Sequence, residues 1–186
     1  MLSSDEVNRQ LEASLRALVI DNLPFDRNSP QEYLEVIEMT TNDLLKVWFN
    51  WVRRKVPATP RKLFVSNAFW NDEAASANRR DIERMFSCIE RGDCLDGFLS
   101  KRANQALPLR DKRNNRVELD LLLNDWAVHH LHPNRNDVLV FMFFTTDEAF
   151  ALIAGKHRDM TSRRMVEAAV ETWPEREIFL EMKGTI

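Results

Sequence analysis

Val138-Leu139-Val140-Phe141-Met142-Phe143-Phe144-Thr145-Thr146-Asp147-Glu148-Ala149-Phe150-Ala151-Leu152-Ile153-Ala154-Gly155 reads as two strands joined by a tight turn. Val138 to Phe144 is rich in Val and Phe, residues suited to a pleated, packed surface. Asp147-Glu148 interrupts it, and Ala149 to Ala154 is apolar again, so a β-hairpin turning between Thr146 and Glu148 is expected. Ala127 to His132, just upstream, has the length of a neighbouring strand. Downstream, Thr161 or Ser162 is placed to cap a helix with Met165, Val166, Ala169 and Val170 inward, ended by Trp173-Pro174. Glu177 to Met182 then reads as a closing strand.

The N-terminal part has a different period. Ser3-Ser4-Asp5-Glu6 is a capping box, and Val7, Leu11, Leu15 and Leu18 follow on one helical face, predicting a helix from about Asp5 to Ile20. Ser29-Pro30-Gln31-Glu32 supplies an N-cap, a proline at the first helical position and a second box, with Tyr33, Leu34 and Ile37 as the inner face. Thr40-Thr41-Asn42-Asp43 caps a third helix through Leu44, Leu45, Trp48, Phe49 and Val52, closed by Pro57. Pro57 to Ser66 is expected to be extended or irregular. A helix starting at Asn71 or Asp72 follows, with Ile82, Met85, Phe86 and Ile89 inside and Gly92 as its C-terminal cap, and Asp93 to Ser100 adds a short helical segment. The fold class is therefore α+β: a helical N-terminal half, then a small antiparallel sheet with a C-terminal helix. Residues 1–100 form the helical region, 101–116 a basic linker or loop, and 117–186 the α+β region, all within one compact domain or divided between two.

The 186 residues carry 26 Lys plus Arg against 29 Asp plus Glu, a net charge of −3. The sum hides a gradient: residues 1–50 hold 4 basic and 9 acidic groups, 51–116 hold 15 and 8, and 117–186 hold 7 and 12. A local positive field attracts polyanions even when the whole molecule is slightly acidic. The longest apolar run, Val138 to Phe144, is far shorter than the roughly 18–20 residues a bilayer demands, and Met1 to Glu6 lacks the basic and apolar regions of a signal peptide, so a cytoplasmic location without membrane association is expected. Cys88 and Cys94 match neither a disulfide framework nor a zinc pattern and read as a buried thiol and a loop thiol.

All four histidines lie in the last third: His129, His130, His132 and His157. On a strand the period of two places His130 and His132 on one face and His129 on the other. Imidazoles move protons near neutral pH, and two on one face beside Lys156, Arg158, Arg163 and Arg164 suit metal-independent cleavage of RNA, one ring taking the proton of a ribose 2′-hydroxyl and the other protonating the leaving oxygen. His130, His132 and His157 are the catalytic candidates. Two other readings stand beside this one: packing in the aromatic core, and a zinc or manganese site completed by Asp120, Asp125 or His157. Gly155-Lys156-His157-Arg158-Asp159 permits a tight turn leading into a helix N-terminus that attracts anions, or else a solvated loop with an ion pair.

Arg53, Arg54, Lys55, Arg61 and Lys62 lie among Trp51 and Phe64, an interleaving that suits single-stranded RNA, and Lys112 and Arg113 extend the basic segment. The alternative is that Trp48, Phe49 and Trp51 are core residues and the cations satisfy a helix end. There is no glycine-rich phosphate loop, dinucleotide fingerprint or G-x-S-x-G elbow, so nucleotide hydrolases, serine hydrolases and cofactor enzymes recede and no cofactor is expected.

Leu123-Asn124-Asp125-Trp126-Ala127-Val128-His129-His130-Leu131-His132, followed by Trp173-Pro174-Glu175, resembles the signature of an uncharacterised bacterial family in which an L-N-D-W then H-H-L-H run precedes a hairpin and a helix ending in W-P-E. The hairpin-then-helix order is also similar to that of the RelE and ParE type toxins, whose RelE-like members cut messenger RNA and which lack a helical N-terminal half. The first resemblance carries no activity with it; the clustered histidines beside the basic middle third lead to the expectation of a bacterial, RNA-directed, metal-independent endoribonuclease of toxin or phage-defence type, with RNA or an antitoxin-like protein as the partner. The alternatives are a non-catalytic module that binds nucleic acid or protein, and a metal-binding protein using the histidines.

Overall fold

The computed structural model describes residues 3–107, 121–134, 137–161 and 163–176. Its elements are helices α1 (Ser4–Asn22), α2 (Pro30–Glu38), α3 (Thr41–Arg53), α4 (Glu73–Ala77), α5 (Arg79–Arg91), α6 (Lys101–Asn104), α7 (Leu121–Trp126) and α8 (Arg164–Thr172), and strands β1 (Lys62–Val65), β2 (Val128–Leu131), β3 (Leu139–Phe144) and β4 (Glu148–Gly155). The class is α+β. The chain divides into two units, residues 1–55 with 101–119 and residues 56–100 with 120–186. Cuts fall after residues 55, 100 and 119, so residues 56–100 group with the sheet and not with the first three helices. Lys101, Asn104 and the residues to Leu107 belong to the first unit, whereas the rest of the basic stretch and the expected strand from Glu177 lie outside the described residues.

In the first unit the caps form as their chemistry requires. The Ser3, Ser29 and Thr40 side chains each accept from the backbone N–H three residues on, satisfying an otherwise orphaned donor. The Arg16 guanidinium donates to the Ile37 and Met39 carbonyls at the end of α2. The core comprises Val19, Leu23, Val36, Leu44, Ala106 and Leu107, with Trp48 and Trp51 packed against it. The expected inner face of α1 is not inside: Leu11 and Leu18 are 66% and 61% exposed, and Val7 and Leu15 also face out. In α2, Tyr33, Leu34 and Ile37 are likewise exposed, and Val36 is the buried residue. Periodicity identifies which side chains share a face; burial depends on whether another element covers it.

The second unit is built on a four-stranded sheet of order β1-β4-β3-β2. The β3–β4 hairpin lies at its centre, and β2 pairs antiparallel with β3 as the patterning predicts. The sheet is mixed rather than purely antiparallel, because Lys62–Val65 runs parallel to β4, pairing Phe64 with Phe150. Pairing over so long a separation leaves no turn signature in the sequence. A register shift after Phe141 leaves Leu152 as an extra residue on β4, a β-bulge. Residues 149–155 are all buried, as befits a central strand covered on both faces.

Phe141, Phe150, Leu152, Met165, Ala169 and Trp173 share one core cluster; the Phe64 ring stacks on Phe150 at 5.1 Å and Trp173 meets Phe150 edge-on at 5.2 Å. α8 begins after a 3-10 turn (His157–Thr161) rather than at a Thr161 or Ser162 cap, and Val170 points outward. The expected helix from Asn71 is split at Asn78 into α4 and α5. Ile82, Met85, Phe86 and Ile89 of α5 are buried as expected. The segment expected to be helical before Ser100 is a turn ending in an isolated bridge from Leu99 to Leu131. Cys88 is half-buried and Cys94 exposed. Among the described residues no helix is long and apolar enough to cross a membrane.

Two left-handed residues in this unit carry opposite predictions. Gly92 caps α5 at φ 77°, and a Cβ there would stand 2.4 Å from the Pro60 nitrogen. Ala127 adopts φ 54° between α7 and β2, a conformation that costs a non-glycine residue about 1 kcal/mol. Gly92→Ala is expected to lower unfolding free energy by more than about 1 kcal/mol, and Ala127→Gly to raise it by about 0.5–1 kcal/mol. Urea melts check both signs.

Candidate active site

β2 is one of the two edge strands, and its register with β3 sets which way each histidine points: His130 lies opposite Phe141 and His129 opposite Met142. Side chains alternate along the strand, so His130 shares the Val128 and Phe141 face and His129 takes the other. His132 follows the strand's last residue. Its backbone N–H donates to the Phe98 carbonyl at 2.7 Å, next to the Leu99–Leu131 bridge, which prolongs the extended geometry and keeps His132 on the side of His130. The following residues are held to α5: Arg84 donates to the Pro133 carbonyl, and the Asn134 amide donates to Asp81 at 2.9 Å.

His157 reaches the same place from the far end of β4. Gly155 ends that strand, the Lys156 N–H donates to Asp159 Oδ2 at 2.7 Å, and the Asp159 N–H donates back to the Lys156 carbonyl at 2.9 Å. The carboxylate occupies the space a Cβ on residue 155 would need, with Oδ2 only 2.6 Å from that position. A side chain at 155 would therefore displace the carboxylate that closes the turn. Asp159, which the sequence offered as a loop ion-pair partner, closes the turn that presents His157. The signal for this was available: an acidic residue three positions after the N–H it accepts from, the spacing of the back-reaching half of a capping box.

The three imidazoles form one cluster. Ring centroids are 5.7 Å apart for His130 and His132, 6.1 Å for His130 and His157, and 5.8 Å for His132 and His157. One ring nitrogen from each lies within 4.8 Å of the other two. Exposure rises across the group, from buried His130 through half-buried His132 to exposed His157. Burial, followed by the adjacent His130 and His157 rings, holds the His132 pKa below its ordinary value. At neutral pH His132 is thus a neutral imidazole, able to accept a proton or bind a metal.

His129 is separate. Its ring meets Phe144 edge-on at 5.4 Å, and burial, then His130 and Arg61, push its pKa down to about 4. It is a packed, neutral residue. Asp120 and the Asp125 side chain, considered as metal ligands, lie outside the described residues.

The basic residues fall into distinct roles. Lys156, Arg158 and Arg164, together with the carboxylates Asp72, Glu73 and Asp159, line an open cleft of about 450 Å³ that none of the three histidines lines, and Arg164 pairs with Asp72 at 2.6 Å. Arg163 is exposed beside it in sequence. Lys112 and Arg113 lie outside the described residues. The interleaved run around Pro57 is divided between the two units, with Arg53, Arg54 and Lys55 in the first and Arg61 and Lys62 in the second. Arg54 donates to the Gln105 and Ala106 carbonyls, and Lys55 bonds Asn104 at 2.6 Å while lying 5.4 Å from the Trp51 ring centre. Arg61 is buried and donates to the Pro57, Thr59 and Thr145 carbonyls, so it is a structural cation rather than a surface contact for nucleic acid. Lys62 lies 4.9 Å over Phe64. Trp48 and Trp51 pack on the first unit's core, whereas Phe49 is exposed.

The buried imidazole gives a pH prediction. His129 has a folded pKa of about 4 against an unfolded value near 6.5, so between these values the unfolded chain binds more protons. Stability is full above pH 6.5 and falls with pH down to about 4, by up to about 3 kcal/mol from this residue, and His132 adds a loss of the same sign. Denaturant melts in EDTA across this window should show that slope, and His129→Phe should flatten it; an equal slope in the variant would refute the assignment.

Compared with known proteins, the chain matches no family model, no curated protein and no solved structure.

Proposed function

We propose that this chain is an RNA-directed endoribonuclease that works without a metal, with His130, His132 and His157 as its centre. The observation that carries this reading is the convergence of three imidazoles from two separate segments, graded from buried to exposed, with Lys156 and Arg158 flanking His157 in the chain. Half-buried His132, neutral, takes the proton from a ribose 2′-hydroxyl. The freed oxygen attacks the adjacent phosphorus, the bond to the 5′-oxygen breaks, and exposed His157 donates a proton to that oxygen. The products are a 2′,3′-cyclic phosphate and a 5′-hydroxyl. His130, packed against both rings, holds them in place, and Lys156 and Arg158 on either side of His157 offset the charge of the phosphorane-like transition state. Imidazoles alone suffice because the nucleophile belongs to the substrate, which is why RNA rather than DNA is the proposed target. The reading extends to a bacterial cytoplasmic setting, with an antitoxin-like protein as the partner.

Incubated with end-labelled single-stranded RNA in EDTA, the full chain should yield cyclic-phosphate ends and leave DNA of the same sequence intact. His132→Ala and His157→Ala should each lower the rate by about 10²–10⁴-fold with the circular dichroism spectrum unchanged. Cleavage no faster than that of a His130→Ala, His132→Ala double variant would remove the proposal.

The turn that presents His157 gives a second expectation. Gly155→Ala sets a methyl against the Asp159 carboxylate and shifts His157 without changing any imidazole. kcat should fall by up to about 100-fold while KM for RNA stays within a few-fold, since misplacement of about 1 Å costs that much. An unchanged kcat would show that His157 needs no such positioning.

A further inference from the structure

We infer that His130, His132 and His157 also bind one divalent transition-metal ion of the zinc type, and that the ion silences the acid–base chemistry of the same rings. The donor geometry carries the first part. One nitrogen from each ring lies within 4.8 Å of the other two. Around a tetrahedral ion with Zn–N bonds of about 2.0–2.1 Å, three such nitrogens stand roughly 3.3 Å apart, so the rings need close by only about 1.5 Å. His157 has room to make that movement, because it is exposed at the start of a 3-10 turn, whereas His130 is fixed in the β2–β3 ladder. The backbone N–H of His132 is anchored on the Phe98 carbonyl, and the turn before His157 is closed by Asp159, so both mobile members of the set start from held positions.

Ligand chemistry selects the ion. Three imidazole nitrogens suit zinc, cobalt, nickel or copper and not calcium or magnesium, which take oxygen donors. With three protein ligands the fourth position is left on the exposed, His157 side for water. Coordination uses the nitrogen lone pairs that proton transfer needs, so the metal-bound rings themselves cannot take a proton from a 2′-hydroxyl. Metal binding itself does not depend on the proposed RNA cleavage; only the silencing does.

The test uses the full chain with Cys88→Ser and Cys94→Ser, to remove thiol sites, after EDTA treatment and its removal. Titration with Co²⁺ should produce the visible absorption of a tetrahedral centre, saturating at one ion per chain, and Zn²⁺ should displace it. An outer-shell change costs about 10–100-fold in metal affinity, so His132→Ala or His157→Ala should each weaken Zn²⁺ by more than about 100-fold, while His129→Phe leaves it unchanged. Absence of a saturating Co²⁺ spectrum, or affinity indifferent to His157→Ala, overturns the site. Cleavage of RNA is then followed with and without one equivalent of Zn²⁺. Activity in EDTA that disappears with Zn²⁺ supports both readings. Activity in EDTA that persists with Zn²⁺ bound overturns the silencing, and activity that appears only with Zn²⁺ overturns both the silencing and the metal-free mechanism while the site stands. If Zn²⁺ binds but no RNA is cut under either condition, the proposed function fails and the metal site stands alone.

Discussion

The register of β2 on β3 is the constraint on which the candidate site depends. A strand's side chains alternate, so a slip of one residue would carry His130 and His132 to the far face and put His129 in their place. What holds the register is packing: Phe141 lies between His130 on β2 and Ile153 on β4 and is fully buried in the cluster that α8 covers. Truncating such a ring typically costs about 3–5 kcal/mol, far more than a single ladder hydrogen bond of roughly 1 kcal/mol. The aromatic core of the hairpin therefore decides which histidines meet.

Burial then distinguishes four chemically identical side chains, of which His129 and His130 are enclosed, His132 half-buried and His157 exposed. His129, enclosed against Phe144 with Arg61 nearby, stays neutral through most of the acid range, and its part is structural. His132 is partly desolvated and faces two further imidazoles, which keeps it available as a base or ligand. His157 stands at the solvent end between Lys156 and Arg158. A graded environment of this kind lets one residue type fill different roles within a single cluster.

The cations show the same dependence on context. Along the chain Arg53 to Lys62 looks like one basic patch, yet Arg54, Lys55 and Arg61 bond backbone carbonyls or a side-chain amide, and the run belongs to two separate units. Among the described residues Lys156 and Arg158 flank His157 in the chain, and with Arg164, which pairs with Asp72, they line a cleft shared with Asp72, Glu73 and Asp159.

Much of the molecule was legible in local sequence. The Ser3, Ser29 and Thr40 caps, the buried face of α5 with its Gly92 cap, the β3–β4 hairpin and the separation of His129 from His130 all follow from interactions within a few residues, and these are properties a sequence encodes directly. The parallel pairing of β1 with β4, the outward apolar faces of α1 and α2, the buried state of Arg61 and the meeting of His157 with His130 and His132 were decided only by tertiary structure. Each joins or exposes groups far apart along the chain, where no local propensity acts and the outcome rests on which surfaces cover one another. The sequence by itself determined which residues share a face, and the packing of distant segments determined which faces were buried and which histidines came together.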